Sequence, residues 1–285
     1  MATNVWTGSA SALWSAAGNW SLAAAPVATD DIIIPGGTKS IDCNGMTAAA
    51  FNSMHILEGY KGTIGSSGAP CSGSWVGAKG VIHNGAGKLF LTDDGTGTTA
   101  NVLLAGESNG DLIEVDGTIT FLEIMRGKAT AKGASSAIIT NAILGTLGEL
   151  SNDAQLTFAA GAGTCAALRQ NSGICIANNV ITTGEINGGV FVKRSTTAMT
   201  TLALANAVAH YEGTGTLTTG ILGNRGILNM DRNWSDPDSP SSNYGRQSAV
   251  TITSLYQYPG SIVYRRNLLT TVTTHYDRRR AGEGT

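Results

Sequence analysis

Two carboxylates, Glu114 and Asp116, form the pair best placed in this sequence for acid–base chemistry. They lie two residues apart in Asp111-Leu-Ile-Glu-Val-Asp116-Gly, a segment whose apolar residues predict a β-strand. Two residues is the side-chain period of a strand, so both carboxylates would face one side, with their α-carbons about 6.5–7 Å apart. A separation of about 6.5–9.5 Å between carboxyl groups is typical of an inverting glycoside hydrolase. The alternative is a solvated strand face that does no chemistry.

Patterns for metal and cofactor binding are weak. The Asp93-Asp94-Gly95 segment offers oxygen ligands, but it lacks the acidic spacing of a calcium loop, which favours a turn. The four cysteines show no C-x-x-C spacing: Cys43, Cys71, Cys165 and Cys175. The sequence therefore predicts no metal and no cofactor, and it favours buried reduced thiols over disulfides.

Tryptophan is concentrated at the N-terminus. Trp6, Trp14 and Trp20 are three of the five tryptophans in the chain. One interpretation is that their rings close the first turn of a β structure whose core would otherwise face water. The other is that they dock on a second protein, because tryptophan is enriched where binding energy is concentrated.

Arginine is concentrated at the C-terminus, at Arg265, Arg266, Arg278, Arg279 and Arg280. Guanidinium groups pair bidentately with carboxylates and phosphates, so this cluster predicts a binding surface for an acidic partner. The alternative is a solvated tail. Direct nucleic-acid binding is disfavoured, because the formal net charge of the chain is −2.

A repeated pattern indicates the architecture that would hold these residues. Ile181-Thr-Thr-Gly184 returns as Leu217-Thr-Thr-Gly220, and each copy precedes a strand with alternating apolar residues. Aligning Val190 with Val208 and then with Leu228 places these strands 18 and 20 residues apart. Short strands at such a spacing predict an all-β, right-handed parallel β-helix, in which each turn stacks on the next. Turn dipeptides such as Asn84-Gly85 suit hairpins equally, so an antiparallel β-sandwich is the alternative.

Composition agrees with a β structure rich in turns. Charged residues are 13% of the chain, against about 25% in an average protein, and glycine occurs 38 times in 285 residues. Three regions are predicted: a Trp-rich cap over 1–37, a solenoid over 38–234, and a loop with an Arg- and Tyr-rich β segment over 235–285. The prolines at 237 and 240 would interrupt any ladder and mark that loop.

The first residues have no basic segment followed by an apolar run, and no stretch approaches the ~20 apolar residues of a membrane span. We therefore expect synthesis in a reducing cytoplasm and no membrane partner.

The order of Trp6, Trp14, Asn19-Trp20, Pro26 and Asp30-Asp31 ahead of the apolar run at 32–34 resembles the entry segment of β-solenoids in phage and bacterial surface proteins. The chain as a whole resembles the β-helical virion proteins of tailed bacteriophages, in particular capsid decoration (cement) proteins. The resemblance implies a homotrimer that binds the major capsid protein on the capsid exterior. It implies no enzymatic activity and no small-molecule substrate. The rival expectation is a tailspike or tail fibre that binds or cleaves host polysaccharide.

Overall fold

The computed structural model of the protein describes residues 2–93, 97–106, 110–132, 138–146, 153–161, 163–230, 250–264 and 270–278. Its parallel strands are stacked as a β-solenoid of about 10 turns, which confirms the predicted β-helix. In most turns the chain contributes one strand to each of two sheets. The right-handed sense of the coil stays a prediction.

The first sheet has 13 strands among the described residues. In ladder order they are β1 (Thr3–Val5), β2 (Asp31–Ile34), β3 (Ala50–Ile56), β6 (Ser74–His83), β8 (Thr99–Leu104), β10 (Thr118–Ile124), β12 (Ile138–Leu144), β14 (Thr164–Gln170), β16 (Val180–Ile186), β18 (Met199–Leu204), β20 (Leu217–Leu222), β22 (Val250–Gln257) and β24 (Thr270–Asp277).

The second sheet faces the first across the core. In chain order its strands are β4 (Thr63–Ile64), β5 (Cys71–Ser72), β7 (Lys88–Thr92), β9 (Asp111–Asp116), β11 (Gly127–Ala131), β13 (Ala154–Phe158), β15 (Ile174–Ala177), β17 (Gly189–Lys193), β19 (Ala207–Tyr211), β21 (Ile227–Asn229) and β23 (Ile262–Tyr264). One short 3₁₀ helix, Ala17–Asn19, lies in the N-terminal segment.

The paired strands show that the antiparallel sandwich alternative was wrong. Neighbouring named strands are parallel along both ladders, from β1 with β2 to β22 with β24. Two isolated antiparallel bridges, Trp6 with Trp20 and Ser66 with Ala69, belong to local turns. The turn dipeptides therefore join strands in different sheets, and each strand finds its ladder partner one turn further along the chain.

Each strand in the middle of the first sheet turns a corner. In β16, Ile181 and Gly184 are buried, but the two residues between them, Thr182 and Thr183, both face outward. The neighbouring strands repeat this pattern at the matching positions. A straight strand alternates its side chains between two faces, so two successive outward residues mark a bend. The outer face of the sheet therefore carries two adjacent columns of side chains along the corner.

The register predicted for the last repeat was wrong by one residue. Val190 does lie opposite Val208, but Val208 lies opposite Ile227, and Leu228 lies opposite Ala209. The second spacing is thus 19 residues and not 20. Because side chains alternate every residue, Leu228 takes the other face from Val190 and Val208: those two are partly exposed, and Leu228 is fully buried in the core.

The core is one continuous apolar stack between the sheets. All four cysteines are buried, as predicted, and none is joined in a disulfide. Burial raises the pKa of the Cys165 thiol to about 12. The first-sheet ladder runs from β1 to β24 and so crosses both predicted region boundaries, while the proline-containing loop lies outside the described residues. The three-region division stays a prediction.

Candidate assembly surface

The three N-terminal tryptophans are buried together in a cap. The ring centroids of Trp6 and Trp14 lie 5.1 and 4.8 Å from that of Trp20, both in edge-to-face geometry. Trp14 continues the stack onto Phe51 of β3, at 6.4 Å. The Nε1 of Trp20 donates to the carbonyl oxygen of Trp14 at 2.7 Å, so the one polar atom of that ring is satisfied. These rings therefore extend the solenoid core to its N-terminal end.

The Asn19 side chain shapes the loop that carries these rings. Its Oδ1 accepts from the backbone N–H groups of Ala10 and Ser11, both at 2.8 Å. Its Nδ2 donates to the carbonyl oxygen of Leu13 at 2.8 Å. A buried amide satisfied on both sides fixes the loop in one conformation. A partner would reach the indole rings only if this cap opened, and their docking role stays an untested prediction.

Of the five arginines in the predicted C-terminal cluster, only Arg278 lies within the described residues. It is exposed at the end of β24, and its guanidinium carbon lies 5.8 Å from the ring centroid of Tyr258. Its backbone N–H donates to the carbonyl oxygen of Gln257. Arg265, Arg266, Arg279 and Arg280 lie outside the described residues, so the arginine surface stays a prediction.

Glu114 and Asp116 lie on β9, where both are partly buried. Glu114 Oε2 accepts from Lys132 Nζ at 3.0 Å, a cation that sequence inspection did not assign to it. Asp116 Oδ1 accepts from the backbone N–H of Gly117 at 2.8 Å. Each carboxylate thus has a structural partner, one in an ion pair and one in a turn. The arrangement fits the predicted alternative of a solvated strand face better than a hydrolytic pair.

A surface that sequence inspection missed follows the corner of the first sheet. It consists of three outward positions per strand over eight strands, β10 to β24, and each of them is partly or fully exposed. We call it the threonine face. Its members are Thr118, Thr120 and Phe121; Ile138, Thr140 and Asn141; Thr164, Ala166 and Ala167; Val180, Thr182 and Thr183; Ala198, Thr200 and Thr201; Thr216, Thr218 and Thr219; Thr251, Thr253 and Ser254; and Thr271, Thr273 and Thr274.

None of these residues is charged, and threonine is the commonest among them. Strands in a sheet stand about 4.7–4.9 Å apart, so the hydroxyl and methyl groups form regular rows along the solenoid. The centre of a protein–protein interface is likewise depleted of charged side chains. The threonine face is therefore suited to contact another surface rather than to catalyse a reaction.

A groove of about 590 Å³ crosses β10 to β18 and overlaps this face, since Phe121, Asn141, Ala167, Thr183 and Thr201 line it. Phe121 lies at one end, and Asn141, Arg169 and Glu185 contribute polar groups to its lining. The Arg169 and Glu185 side chains pair at 3.0 Å, and both are about half exposed, so the pair contributes little to stability. A hydrogen bond from Asn187 and the nearby Arg169 lower the pKa of Glu185.

Among the described residues there is no cluster of histidine, cysteine or acidic side chains that could hold a metal ion. Asp93, from the segment considered for calcium, accepts from Ser74 Oγ at 2.7 Å and from the N–H of Thr99 at 2.9 Å. It therefore ties two strands together. No helix in the described part of the chain is long and apolar enough to cross a membrane.

The threonine face had a signal in the sequence. Met199-Thr-Thr-Leu202 lies midway between the two Thr-Thr copies used for the repeat, so the first residues of the three copies stand at 181, 199 and 217.

Comparison of the chain with protein-family models, with curated proteins and with solved structures gives no match.

Proposed function

We propose that the protein is a structural virion protein that decorates the outer surface of a tailed-phage capsid and stabilises the head by non-covalent contacts. The observation that supports this proposal is the threonine face, which presents no charged residue over eight successive strands. Such a surface can be desolvated against another protein without leaving an unpaired charge. The partner in this proposal is the major capsid protein.

The solenoid contributes rigidity to this task. Every strand of the face is held by parallel ladders, and the core behind it is continuous. Rows of uncharged, mostly threonine side chains on a stiff support give many similar weak contacts, and these reinforce one another once the first has formed. The head is then stabilised by the total area that several bound copies cover. The homotrimer implied by the resemblance remains part of the proposal.

Charge placed on the threonine face tests this proposal. We expect the double variant Thr200→Arg, Thr218→Arg to rebind to particles stripped of the native protein with affinity reduced about tenfold or more, because two guanidinium groups would be buried without partners. Rebinding is measured by quantitative gel or mass spectrometry of purified particles.

The matched control is Gln155→Arg, Thr157→Arg, which adds the same charges to outward positions of β13 in the second sheet. This control is expected to rebind like the unmodified protein. Equal rebinding of both variants, or equal loss in both, would contradict a role for the threonine face.

The groove favours a second candidate function, in a tailspike or tail fibre that binds host polysaccharide. Its aromatic ring at Phe121, its amide at Asn141 and its Arg169–Glu185 pair are groups that contact sugar rings and hydroxyls. The two candidates place the protein on different parts of the particle, the head or the tail, and that difference can be measured.

A further inference from the structure

Two buried cysteines take neighbouring positions on successive turns at the start of the second sheet. Ile41 forms a parallel bridge with Ile64 of β4. On the next turn, Ile64 and Cys71 pair with residues that stand two apart on β7, so Cys71 fills the inward position that follows Ile64 in the ladder. Cys43 stands two residues after Ile41 and is also buried, so it fills the same column one turn earlier.

A short excursion of the chain places Cys71 in this column. After Gly65 the chain leaves the ladder in a tight turn, in which the N–H of Ser66 donates to the carbonyl oxygen of Ala69 at 3.0 Å. It then returns beside the point where it left, because a Cβ on Gly65 would lie 2.9 Å from the backbone nitrogen of Cys71. The turn therefore brings Cys71 next to a strand position that continuous alternation in the sequence would not give it.

The thiols of Cys43 and Cys71 meet inside the core. Neighbouring strands stand about 4.7–4.9 Å apart, which lies within the Cα separation of about 4.4–6.8 Å found in disulfides. The Cys43 thiol forms a hydrogen bond with the Cys71 thiol. This hydrogen bond and burial raise the pKa of Cys71, so the pair stays protonated while the core is closed.

The other two cysteines are arranged differently. Cys165 lies on β14 in the first sheet, whereas Cys175 lies on β15 in the second. Facing sheets stand about 10 Å apart, and cysteines whose Cα atoms are more than about 7 Å apart cannot be bridged without movement of the backbone. The Sγ of Cys165 lies 3.4 Å from the carbonyl oxygen of Ala167, to which it donates. This second pair is an internal control for the first.

We propose that Cys43 and Cys71 form a disulfide when the folded protein meets a small-molecule disulfide such as oxidised glutathione. The thiolate of one cysteine attacks the small disulfide, forms a mixed disulfide and releases one small thiol. The thiolate of the other cysteine then attacks the protein sulfur of the mixed disulfide, and the second small thiol leaves. The protein gives up two electrons and the small disulfide accepts them, while the two thiol protons end on the released small thiols.

Local opening around β5 gives the reagent access to the pair. β5 has only two residues, and β7 is the one named strand with which it pairs. Residues 66–68 before it are exposed, and no heavy atom lies within 4 Å of a methyl group added at Gly68. A short element of this kind opens at a lower free-energy cost than the whole solenoid. The thiols can then ionise in water and react without global unfolding.

This inference does not rest on the proposed function. In the reducing cytoplasm where we expect synthesis, both cysteines stay as thiols. An oxidising medium outside the cell would close the bond, which ties two successive turns next to the tryptophan cap. A cross-link restricts the unfolded chain, so the oxidised protein is expected to unfold at a higher urea concentration than the reduced one.

Oxidation of the folded full-length chain tests the proposal. The protein is incubated with oxidised glutathione at about pH 8, near the ordinary pKa of a thiol, and is then denatured and alkylated. The number of alkylated cysteines is expected to fall from four to two, and the intact mass by that of two hydrogen atoms. Peptide mapping is expected to join the peptides that contain Cys43 and Cys71.

Cys43→Ser and Cys165→Ser are matched variants, because each replaces one buried thiol. The Cys165→Ser variant is expected to form the same disulfide as the unmodified protein, and the Cys43→Ser variant to form none between its own cysteines. An unmodified protein that keeps all four thiols while it stays folded would overturn the proposal. So would a bond between Cys165 and Cys175, or a glutathione adduct on Cys43 or Cys71 that never proceeds to the second step.

Discussion

Lys193 is the least expected residue in the core, because it is buried inside the solenoid with only 1% of its surface exposed. It follows the buried Phe191 on β17 at the inward period of two. Its Nζ donates to the carbonyl oxygen of Ser195 at 2.7 Å and lies 4.7 Å from the ring centroid of Tyr211. Burial lowers the pKa of Lys193 from its ordinary value of 10.5 to about 8.

We expect Lys193→Met to be more stable than the unmodified protein at pH 7, by about 1–3 kcal/mol, because the charged ammonium no longer has to be buried. The difference should shrink as the pH rises above 8. The native pKa lies below the unfolded one, so the folded protein loses its proton first and the cost of burial is relieved between about pH 8 and 10.5. Urea unfolding of both proteins at pH 7 and pH 9 measures this.

Subtracting the variant from the unmodified protein removes the effect of other groups, such as the buried cysteines, that titrate in the same range. A difference in unfolding free energy that stays constant between pH 7 and pH 9 would show that Lys193 does not change its charge in the native state.

At the scale of the element, the sequence allowed the parallel solenoid to be predicted but not its outer surface. The Thr-Thr copies carried the repeat, because each places an apolar residue, Ile181 or Leu217, in the core just before the corner. Strict alternation then failed, since Thr182 and Thr183 both face outward. The one-residue error at Leu228 has a related cause, because a pattern of period two does not fix the length of the connecting turn.

The candidate site was predictable only in part. The cap was inferred from the spacing of Trp6, Trp14 and Trp20, and the structure buries all three. The ion pair of Glu114 with Lys132 joins residues of different turns, which no local pattern reveals. The threonine face likewise gathers residues from 118 to 274, and its lack of charge becomes visible only once the register is known.

Successive turns approach so closely at Gly80 on β6 that there is no room for a side chain. Gly80 has a positive φ of 55° and lies opposite Ser53, where the ladder register shifts. A Cβ at this position would collide with the carbonyl oxygen of Asn101 on the next turn. We expect Gly80→Ala to lower the free energy of unfolding by about 2–4 kcal/mol, as measured by urea unfolding.

Gly68→Ala is the matched control for this substitution. No heavy atom lies within 4 Å of the added methyl group, so the change should be smaller than about 0.5 kcal/mol. Equal effects of the two substitutions would show that the contact between turns at Gly80 is not close.

At the scale of the whole molecule, the charges are distributed in a way that fits assembly. The chain has 38 charged residues, 18 basic and 20 acidic, yet none lies on the threonine face. The N-terminal end of the solenoid is filled by three buried tryptophans. A stiff body with an uncharged side is suited to be placed in an ordered array. These features support a structural role over a catalytic one.

The most direct test of the proposed decoration function is the number and position of copies on a purified particle, by quantitative mass spectrometry together with electron microscopy of labelled protein. The proposal predicts hundreds of copies distributed over the head, because each bound copy stabilises only its own part of the capsid surface. A few dozen copies or fewer, confined to the tail, would contradict it and favour polysaccharide binding through the groove at Phe121.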